Sequence, residues 1–164
     1  MEIFLPNITE KVPEAKVRQM NPVVLAFVGD AVYTLYVRTK AALLADKKAN
    51  ALNKESAVAV SAVEQAKIVD AVYETLSEEE QAIFRRARNS KKNTRAKHAS
   101  VSQYNKSTGF EAVAGYLYLT GRNDRLWALF GAVSGGKTSA AANVQPVAAG
   151  EDNEISAGQP KALQ

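Results

Sequence analysis

The chain has 164 residues, of which 46% are apolar and 23% charged, as is ordinary for a globular protein. It contains no cysteine, which excludes disulfides, thiolate catalysis and cysteine-ligated zinc or iron–sulfur sites. The formal net charge of +4 is unevenly spread, because eight lysines and arginines and no acidic residue lie between Arg85 and Lys106.

Composition divides the chain into three parts. Residues 1–20 are predicted to form an N-terminal arm and residues 21–130 a single helical domain. Residues 131–164 hold eight alanines and five glycines but almost no large apolar residues, so we expect a disordered C-terminal tail. The start, "MEIFLPNITE", lacks the basic and apolar regions of a secretory signal, and the most apolar run is too short to span a bilayer. We therefore expect a cytoplasmic protein with no membrane partner.

Helical signals follow one another through the domain. The first helix is expected to begin at Pro22, with Asn21 as its N-cap. A second is predicted from about Asn50 to Leu76, where "SAVAVSAV" alternates like a strand but has no turn signal at either end. Downstream, Ser77 opens a capping box in "SEEEQAIFRRAR", "STGFEAVAGYLYLTG" is long enough for a further helix, and a short helix is expected near Asp124–Phe130. With no hairpin signal, the predicted fold is all-α.

Asp30 is the one charged residue in the apolar stretch "LAFVGDAVYTLY". On a helix, its neighbours at three and four residues are Ala26, Phe27, Tyr33 and Thr34. None of them is basic, so no ion pair within the helix explains the carboxylate. Either it is structural and hydrogen-bonded to another helix, or it is a metal ligand or general base on a rigid element.

Glu111, in "STGFEAVAGYLYL", is the second candidate. Thr108 precedes it at the spacing of a capping box, which would give the carboxylate a purely local role. However, Gly115 follows one turn later and Gly29 adjoins Asp30, and each glycine inside a helix costs about 1 kcal/mol relative to alanine. Close approach of the two helices would explain both glycines. It would also bring two carboxylates together, and Mg²⁺ or Mn²⁺ would relieve their repulsion.

A basic segment, "FRRARNSKKNTRAKHASVSQYNK", lies between the two carboxylates in the sequence. Its cations are separated by Asn, Ser and Thr, as suits a loop that contacts phosphates, although a merely solvated surface has the same composition. The single histidine has no second histidine or cysteine near it, so a phosphate or 2′-hydroxyl contact is favoured over a zinc site. The predicted phosphate or 2′-hydroxyl contacts, which become RNA contacts under the resemblance given below, are Arg85, Arg86, Arg88, Lys91, Lys92, Arg95, Lys97 and His98.

The segment "GAVSGGKT", Gly131 to Thr138, matches the phosphate-binding pattern G-x-x-x-x-G-K-T. That motif works when a strand precedes it and a helix follows, so that backbone N–H groups converge on the phosphate. Here a helical "LWALF" precedes it. We therefore expect no nucleotide cofactor, and an NTPase is kept only as a third hypothesis.

"AFVGDAVY" and "STGFEAVAGYLYL", with "RRARNSKKN" between them, resemble the paired signatures of the ribonuclease III catalytic domain. The resemblance covers about residues 20–130 and is to the short bacterial form, the mini-ribonuclease III subfamily. It implies a homodimeric bundle of helices that cuts double-stranded RNA with Mg²⁺, or Mn²⁺ as a substitute, leaving 5′-phosphate and 3′-hydroxyl ends. It places Asp30 and Glu111 on the catalytic, metal-binding carboxylates.

The resemblance also has departures and further implications. Ala26, Val23 and Thr108 stand where full-length ribonuclease III has additional acidic residues, which leaves the number of metal ions open. No double-stranded-RNA-binding domain is expected after the core, so the basic segment must help to hold the RNA. The implied substrate is a stem formed by the ends of the 23S ribosomal RNA precursor, and a ribosomal protein on that precursor is a candidate partner. The alternative is a non-catalytic helical RNA-binding or ribosome-assembly module with structural Asp30 and Glu111.

Overall fold

The computed structural model describes residues 12–44, 46–91 and 98–134. In these ranges the chain forms helices and no strand, which confirms the predicted all-α fold. The helices are α1 (Glu14–Gln19), α2 (Pro22–Leu44), α3 (Ala49–Ala59), α4 (Ala62–Val72), α5 (Glu78–Arg88), α6 (Val101–Leu119) and α7 (Asn123–Ser134). A 3₁₀ turn at Tyr73–Thr75 joins α4 to α5.

Helix α6 is the centre of the bundle, and α2, α4 and α5 pack around it. From Ser107 to Leu117 every residue of α6 is buried except Glu111, which is half-buried. A helix surrounded on all sides has no continuous polar face, which is why this segment consists of apolar and small residues almost throughout. Glu111 is therefore the one place where this central stretch of α6 is open to solvent.

Several local predictions are confirmed. The Asn21 side chain accepts a hydrogen bond from the backbone N–H of Val23 at 2.9 Å, so α2 is capped as expected. Ser77 and Glu80 form both bonds of the capping box at the start of α5. The short helix expected near Asp124–Phe130 is contained in α7.

The predicted helix from Asn50 to Leu76 is wrong, because α3 and α4 are separate. The chain leaves α3 at Val60, and Ser61 begins α4 by accepting a hydrogen bond from the N–H of Glu64 at 3.3 Å. A serine N-cap supplies an acceptor for the free N–H groups of the next helix, which stabilises a break at this point.

Helical residues extend beyond both ends of the predicted 21–130 domain. Val17 of α1 is fully buried, so α1, which lies in the predicted N-terminal arm, contributes one residue to the core. At the other end α7 continues through Gly131–Ser134, which were assigned to the tail. The first half of "GAVSGGKT" is thus helical, and its second half lies outside the described residues. Residues 1–11 and 135–164 lie outside the described ranges. The prediction of a disordered tail therefore concerns residues that are mostly outside them. No helix in the described ranges has the length and apolarity to cross a bilayer.

Candidate active site

Helices α2 and α6 touch backbone to backbone at Gly29 and Gly115. A Cβ atom added at Gly29 would overlap the carbonyl oxygen of Glu111 and lie 2.7 Å from the nitrogen of Gly115. A Cβ atom added at Gly115 would overlap the carbonyl oxygen of Leu25. Only glycine fits at either position, and the close approach predicted from the two glycines is confirmed.

This crossing brings together the chain positions that carry the two candidate carboxylates. Asp30 directly follows Gly29, and Glu111 supplies the carbonyl group that Gly29 contacts. Both residues lie well inside long helices, α2 and α6, so their backbones are held by intrahelical hydrogen bonds on both sides. Positions on rigid helices suit functional groups that must keep a fixed geometry.

A local capping role for Glu111 is excluded by where α6 begins. Ser100 is the N-cap of α6 and forms a capping box with Gln103, far upstream of Glu111. Thr108 is a buried mid-helix residue whose hydroxyl donates to the carbonyl of Tyr104 at 2.9 Å. The Thr108–Glu111 capping box considered from the sequence is therefore wrong.

Asp30 is exposed in the single chain, yet its surroundings do not favour its charge. Partial burial against the protein raises the pKa of the Asp30 carboxyl above its ordinary value, since desolvation disfavours the ionised form. In the described ranges no hydrogen bond or ion pair reaches this carboxylate. The interhelical bond that a structural aspartate requires is thus missing from this part of the molecule, and a cation would stabilise the group.

The donor set at the crossing suits a hard divalent cation. Asp30 and Glu111 offer only carboxylate oxygens, and the described residues contain no cluster of three or more His, Cys, Asp or Glu side chains. Mg²⁺ is commonly held by one or two carboxylates, with waters and substrate phosphate oxygens completing an octahedral shell. Zinc would require nitrogen or sulfur ligands that this pair does not supply. The two residues therefore fit Mg²⁺ or Mn²⁺.

The family follows from the match between this chain and known proteins. Residues 23–122, which include the α2–α6 crossing, match the family profile described as the Ribonuclease III domain. The chain belongs to the ribonuclease III family. The resemblance found in the two sequence signatures is confirmed.

Relatives within the ribonuclease III family cover most of the chain. The Mini-ribonuclease 3 of Thermoanaerobacter sp. (strain X514) is 49% identical over 123 residues, which are 75% of this chain and 86% of that protein. The Mini-ribonuclease 3 of Streptococcus pneumoniae is 44% identical over 115 residues, or 69% and 90% of the two chains. A crystal structure of a Fusobacterium nucleatum protein aligns with a TM-score of 0.67 at 29% identity, over 75% of this chain and 98% of that one.

The predicted RNA contacts of this ribonuclease III domain do not share one environment. Arg85, Arg86 and Arg88 lie in the last turn of α5 rather than in a loop. Lys91 and His98 are exposed on either side of the gap in the described chain. The remaining predicted contacts lie outside the described residues; these are Lys92, Arg95 and Lys97.

An exposed apolar stripe on α2 runs beside Asp30. Phe27 is 80% exposed, and Val24 and Leu35 are 44% and 48% exposed. Their spacing of three to four residues, or twice that, places them on one side of the helix, away from Gly29. From the sequence, Phe27 was considered only as a neighbour of Asp30, and this exposed stripe was not predicted. The available signal was the helical spacing of Val24, Phe27 and Leu35 on the side of α2 opposite Gly29.

Proposed function

We propose that Asp30 and Glu111 are the catalytic pair of this ribonuclease III domain and hold its divalent cation. Membership of the family makes the chain an endoribonuclease of double-stranded RNA, which confirms the activity predicted from the sequence. Enzymes of this family depend in general on divalent metal ions. We assign Mg²⁺, with Mn²⁺ as a substitute, to the Asp30–Glu111 pair.

One observation carries the assignment. Asp30 adjoins the point where α2 and α6 touch, Glu111 forms that point, and Glu111 is the one residue of the 107–117 stretch that is open to solvent. The Asp30 carboxylate is partly desolvated and has no partner in the described ranges, which is unfavourable unless the group has a function. Perturbed carboxyl groups of this kind are typical of functional sites.

The chain's own residues contribute position and charge to the cleavage. Ionised Asp30 and Glu111 present acceptor-only oxygens from two helices whose separation Gly29 and Gly115 fix. A divalent cation held by this pair would supply activation of a water for in-line attack on phosphorus and stabilisation of the leaving 3′-oxygen, which would give 5′-phosphate and 3′-hydroxyl ends. Asp30 is exposed and Glu111 half-buried, so neither residue is sealed from solvent or substrate.

The RNA is held, in this proposal, by the basic segment and by a second copy of the chain. A-form RNA is recognised mainly through its shape, phosphates and 2′-hydroxyls, which suits arginine and lysine contacts rather than base reading. The family forms dimers in general, and we place the dimer contact on the exposed stripe of α2 around Phe27. Because the stripe runs beside Asp30, a two-fold contact there would place both copies of Asp30 near the same interface.

The substrate we propose is the stem formed by the ends of the 23S ribosomal RNA precursor. The relatives with Mini-ribonuclease 3 names support this choice through the short-form resemblance. A ribosomal protein bound to that precursor is the proposed partner, and the cytoplasm is the proposed location.

The test uses labelled duplex RNA with the full chain and with Glu111→Gln. We expect the wild type to cut with Mg²⁺ and to stop with EDTA, and Glu111→Gln to bind the duplex without cutting it. A transcript carrying the precursor stem should be cut at defined positions and faster than an unrelated duplex of equal length. Cleavage that survives EDTA, or equal rates for the wild type and Glu111→Gln, would contradict the assignment of the pair.

A further inference from the structure

Arg86 differs from the other described cations of the basic segment, because both of its terminal nitrogens are bound to backbone carbonyl groups. Nη1 donates to the carbonyl of Arg18 at 2.7 Å, and Nη2 donates to the carbonyl of Met20 at 3.0 Å. These carbonyls lie at the C-terminal end of α1, where the last turn leaves acceptors without intrahelical donors. A cationic fork at a helix C-terminus makes charge-assisted bonds of this kind.

The neighbouring Arg85 is placed differently from Arg86. Arg85 makes only long contacts, at 3.4 Å to the Tyr73 hydroxyl and 3.3 Å to Gln81. Arg86 instead lies on the same side of α5 as Glu79, seven residues earlier, because a helix repeats its direction about every 3.6 residues. Glu79 in turn pairs with Arg18 of α1. One side of α5 therefore faces α1 and carries Arg86.

The backbone of Arg86 also takes part in the end of α5. Its carbonyl accepts a hydrogen bond from the Ser90 hydroxyl at 2.7 Å, just where the chain leaves α5. On the other side of the tie, α1 is anchored by fully buried Val17 and leads directly into Asn21 and α2, the helix of Asp30. Arg86 thus links the chain that enters the Asp30 helix to the last turn of α5.

We infer that Arg86 is a positioning residue for RNA binding and not a phosphate ligand. By tying the C-terminal end of α1 to the last turn of α5, it holds that turn in place, and with it the described cations Arg85 and Lys91. The inference rests on the proposed RNA-binding role of that segment. It takes Arg86 out of the set of phosphate contacts predicted from the sequence, and leaves Arg85 and Lys91 in it.

The test compares Arg86→Ala with the matched variant Arg85→Ala in the full chain, with binding of a duplex RNA measured over a range of salt concentrations. Arg85→Ala should lower the slope of log Kd against log salt by about 0.7–0.9, the loss of one phosphate contact, and leave the melting temperature unchanged. Arg86→Ala should lower the melting temperature and leave the slope unchanged. Its affinity should fall roughly tenfold at every salt concentration, because the last turn of α5 and its cations are no longer held in place.

Two further variants separate position from charge. Arg86→Lys keeps the charge but not the planar fork that reaches two carbonyls, so it should restore only part of the affinity. Val17→Ala loosens α1 without removing any cation, and should weaken RNA binding with an unchanged slope. If both residues act through α1, the losses from Arg86→Ala and Val17→Ala should not add in the double variant.

Three different outcomes would contradict either the inference about Arg86 or the proposed function. A lower salt slope for Arg86→Ala would identify Arg86 as a phosphate ligand and overturn the inference. A lower melting temperature with unchanged RNA affinity would make the tie purely structural and overturn it as well. A wild-type chain that binds no duplex RNA would instead overturn the proposed function.

Discussion

Gly29 lies against the carbonyl group of Glu111, so that α2 and α6 meet without any side chain between them. The contact occurs one residue before Asp30 and at Glu111 itself. The distance between the backbones that carry the two carboxylates therefore depends on Gly29 having no side-chain methyl group. The crossing matters for packing and for the proposed catalytic pair alike, because whatever separates the helices also separates the proposed ligands.

Gly29→Ala should therefore be strongly destabilising. The added methyl group would overlap the Glu111 carbonyl oxygen, and backbone cannot move aside as a flexible side chain can. We expect a loss of about 3 kcal/mol in the free energy of unfolding, the upper end for overpacking, measured by urea denaturation. Gly131→Ala is the matched control, since a Cβ there meets nothing within 4 Å and alanine favours a helix. It should be neutral or stabilising by up to about 1 kcal/mol. Equal stability of the two variants would contradict the close approach.

Glu80 should make the stability of the domain depend on pH. Its buried carboxylate accepts hydrogen bonds from Arg125 at 2.8 and 2.7 Å and from the N–H of Ser77 at 2.9 Å. Burial alone would raise the pKa of Glu80, but the bonds from Arg125 and Ser77 outweigh it and lower that pKa. With the folded pKa below the unfolded one, the stabilisation is present at neutral pH and is lost as pH falls through the folded pKa.

Glu80→Gln should consequently cost about 2 kcal/mol of unfolding free energy at neutral pH. The difference from the wild type should shrink in acid, where the wild-type carboxylate is itself protonated. Glu78→Gln, an exposed neighbour in the same turn, should change stability by less than about 0.5 kcal/mol. Urea denaturation of the three proteins at neutral and acidic pH decides the matter, and a difference that stays constant with pH would contradict this linkage.

Phe27→Ala should weaken the proposed dimer while leaving the single chain folded. A phenylalanine that is 80% exposed contributes little to the core, so its removal mainly affects whatever covers it. An aromatic residue at the centre of an interface commonly contributes about 2 kcal/mol or more, so the dimer dissociation constant should rise by roughly thirtyfold or more.

Leu43→Ala is the control for the dimer, because Leu43 is 74% exposed and lies near the far end of α2. Sedimentation over a range of protein concentrations should show the wild type and Leu43→Ala dissociating at the same concentration, and Phe27→Ala at a much higher one. A wild type that is monomeric and active would contradict the dimer, and a dimer indifferent to Phe27 would place the contact elsewhere.

The features that the sequence predicted are those fixed by neighbours along the chain. Asn21 caps α2 and Ser77 caps α5 through groups within three residues, and a cap needs no tertiary partner to be recognised. Gly29 and Gly115 are informative for a different reason. A glycine inside a helix is unfavourable on its own, so two of them indicate a close contact between helices even though neither partner is near in the sequence.

The features that the sequence did not reveal depend on distant partners. Nothing near Val17 marks it as a core residue, because its burial is created by helices much later in the chain. Arg86 and Arg85 are adjacent arginines in the same basic segment, so the sequence does not distinguish them. The difference is that Arg86 donates hydrogen bonds to carbonyl groups at the end of α1. The break at Ser61 was missed because no glycine or proline marks it, although a serine before an acidic first turn was the local sign.

Asp30→Asn separates a structural role of Asp30 from a metal-binding one. Asparagine keeps the shape of the side chain and removes its charge, which is the property that holds a divalent cation. We expect the variant to fold and to bind duplex RNA, yet to cleave it at least about a hundredfold more slowly, because metal-assisted stabilisation is worth several kcal/mol. Without metal, its melting temperature should equal or exceed that of the wild type, since a partly desolvated charge without a partner in the described ranges is removed.

Binding of the cation gives a readout that does not depend on cleavage. Because a ligand stabilises the state that binds it, added Mg²⁺ should raise the melting temperature of the wild type and leave that of Asp30→Asn unchanged. Asp124→Asn, an exposed aspartate in the first turn of α7, is the matched control and should behave as the wild type does in both measurements. An Asp30→Asn protein that cuts at near the wild-type rate, or that is stabilised by Mg²⁺ to the same extent, would show that the carboxylate beside the α2–α6 contact does not hold the metal.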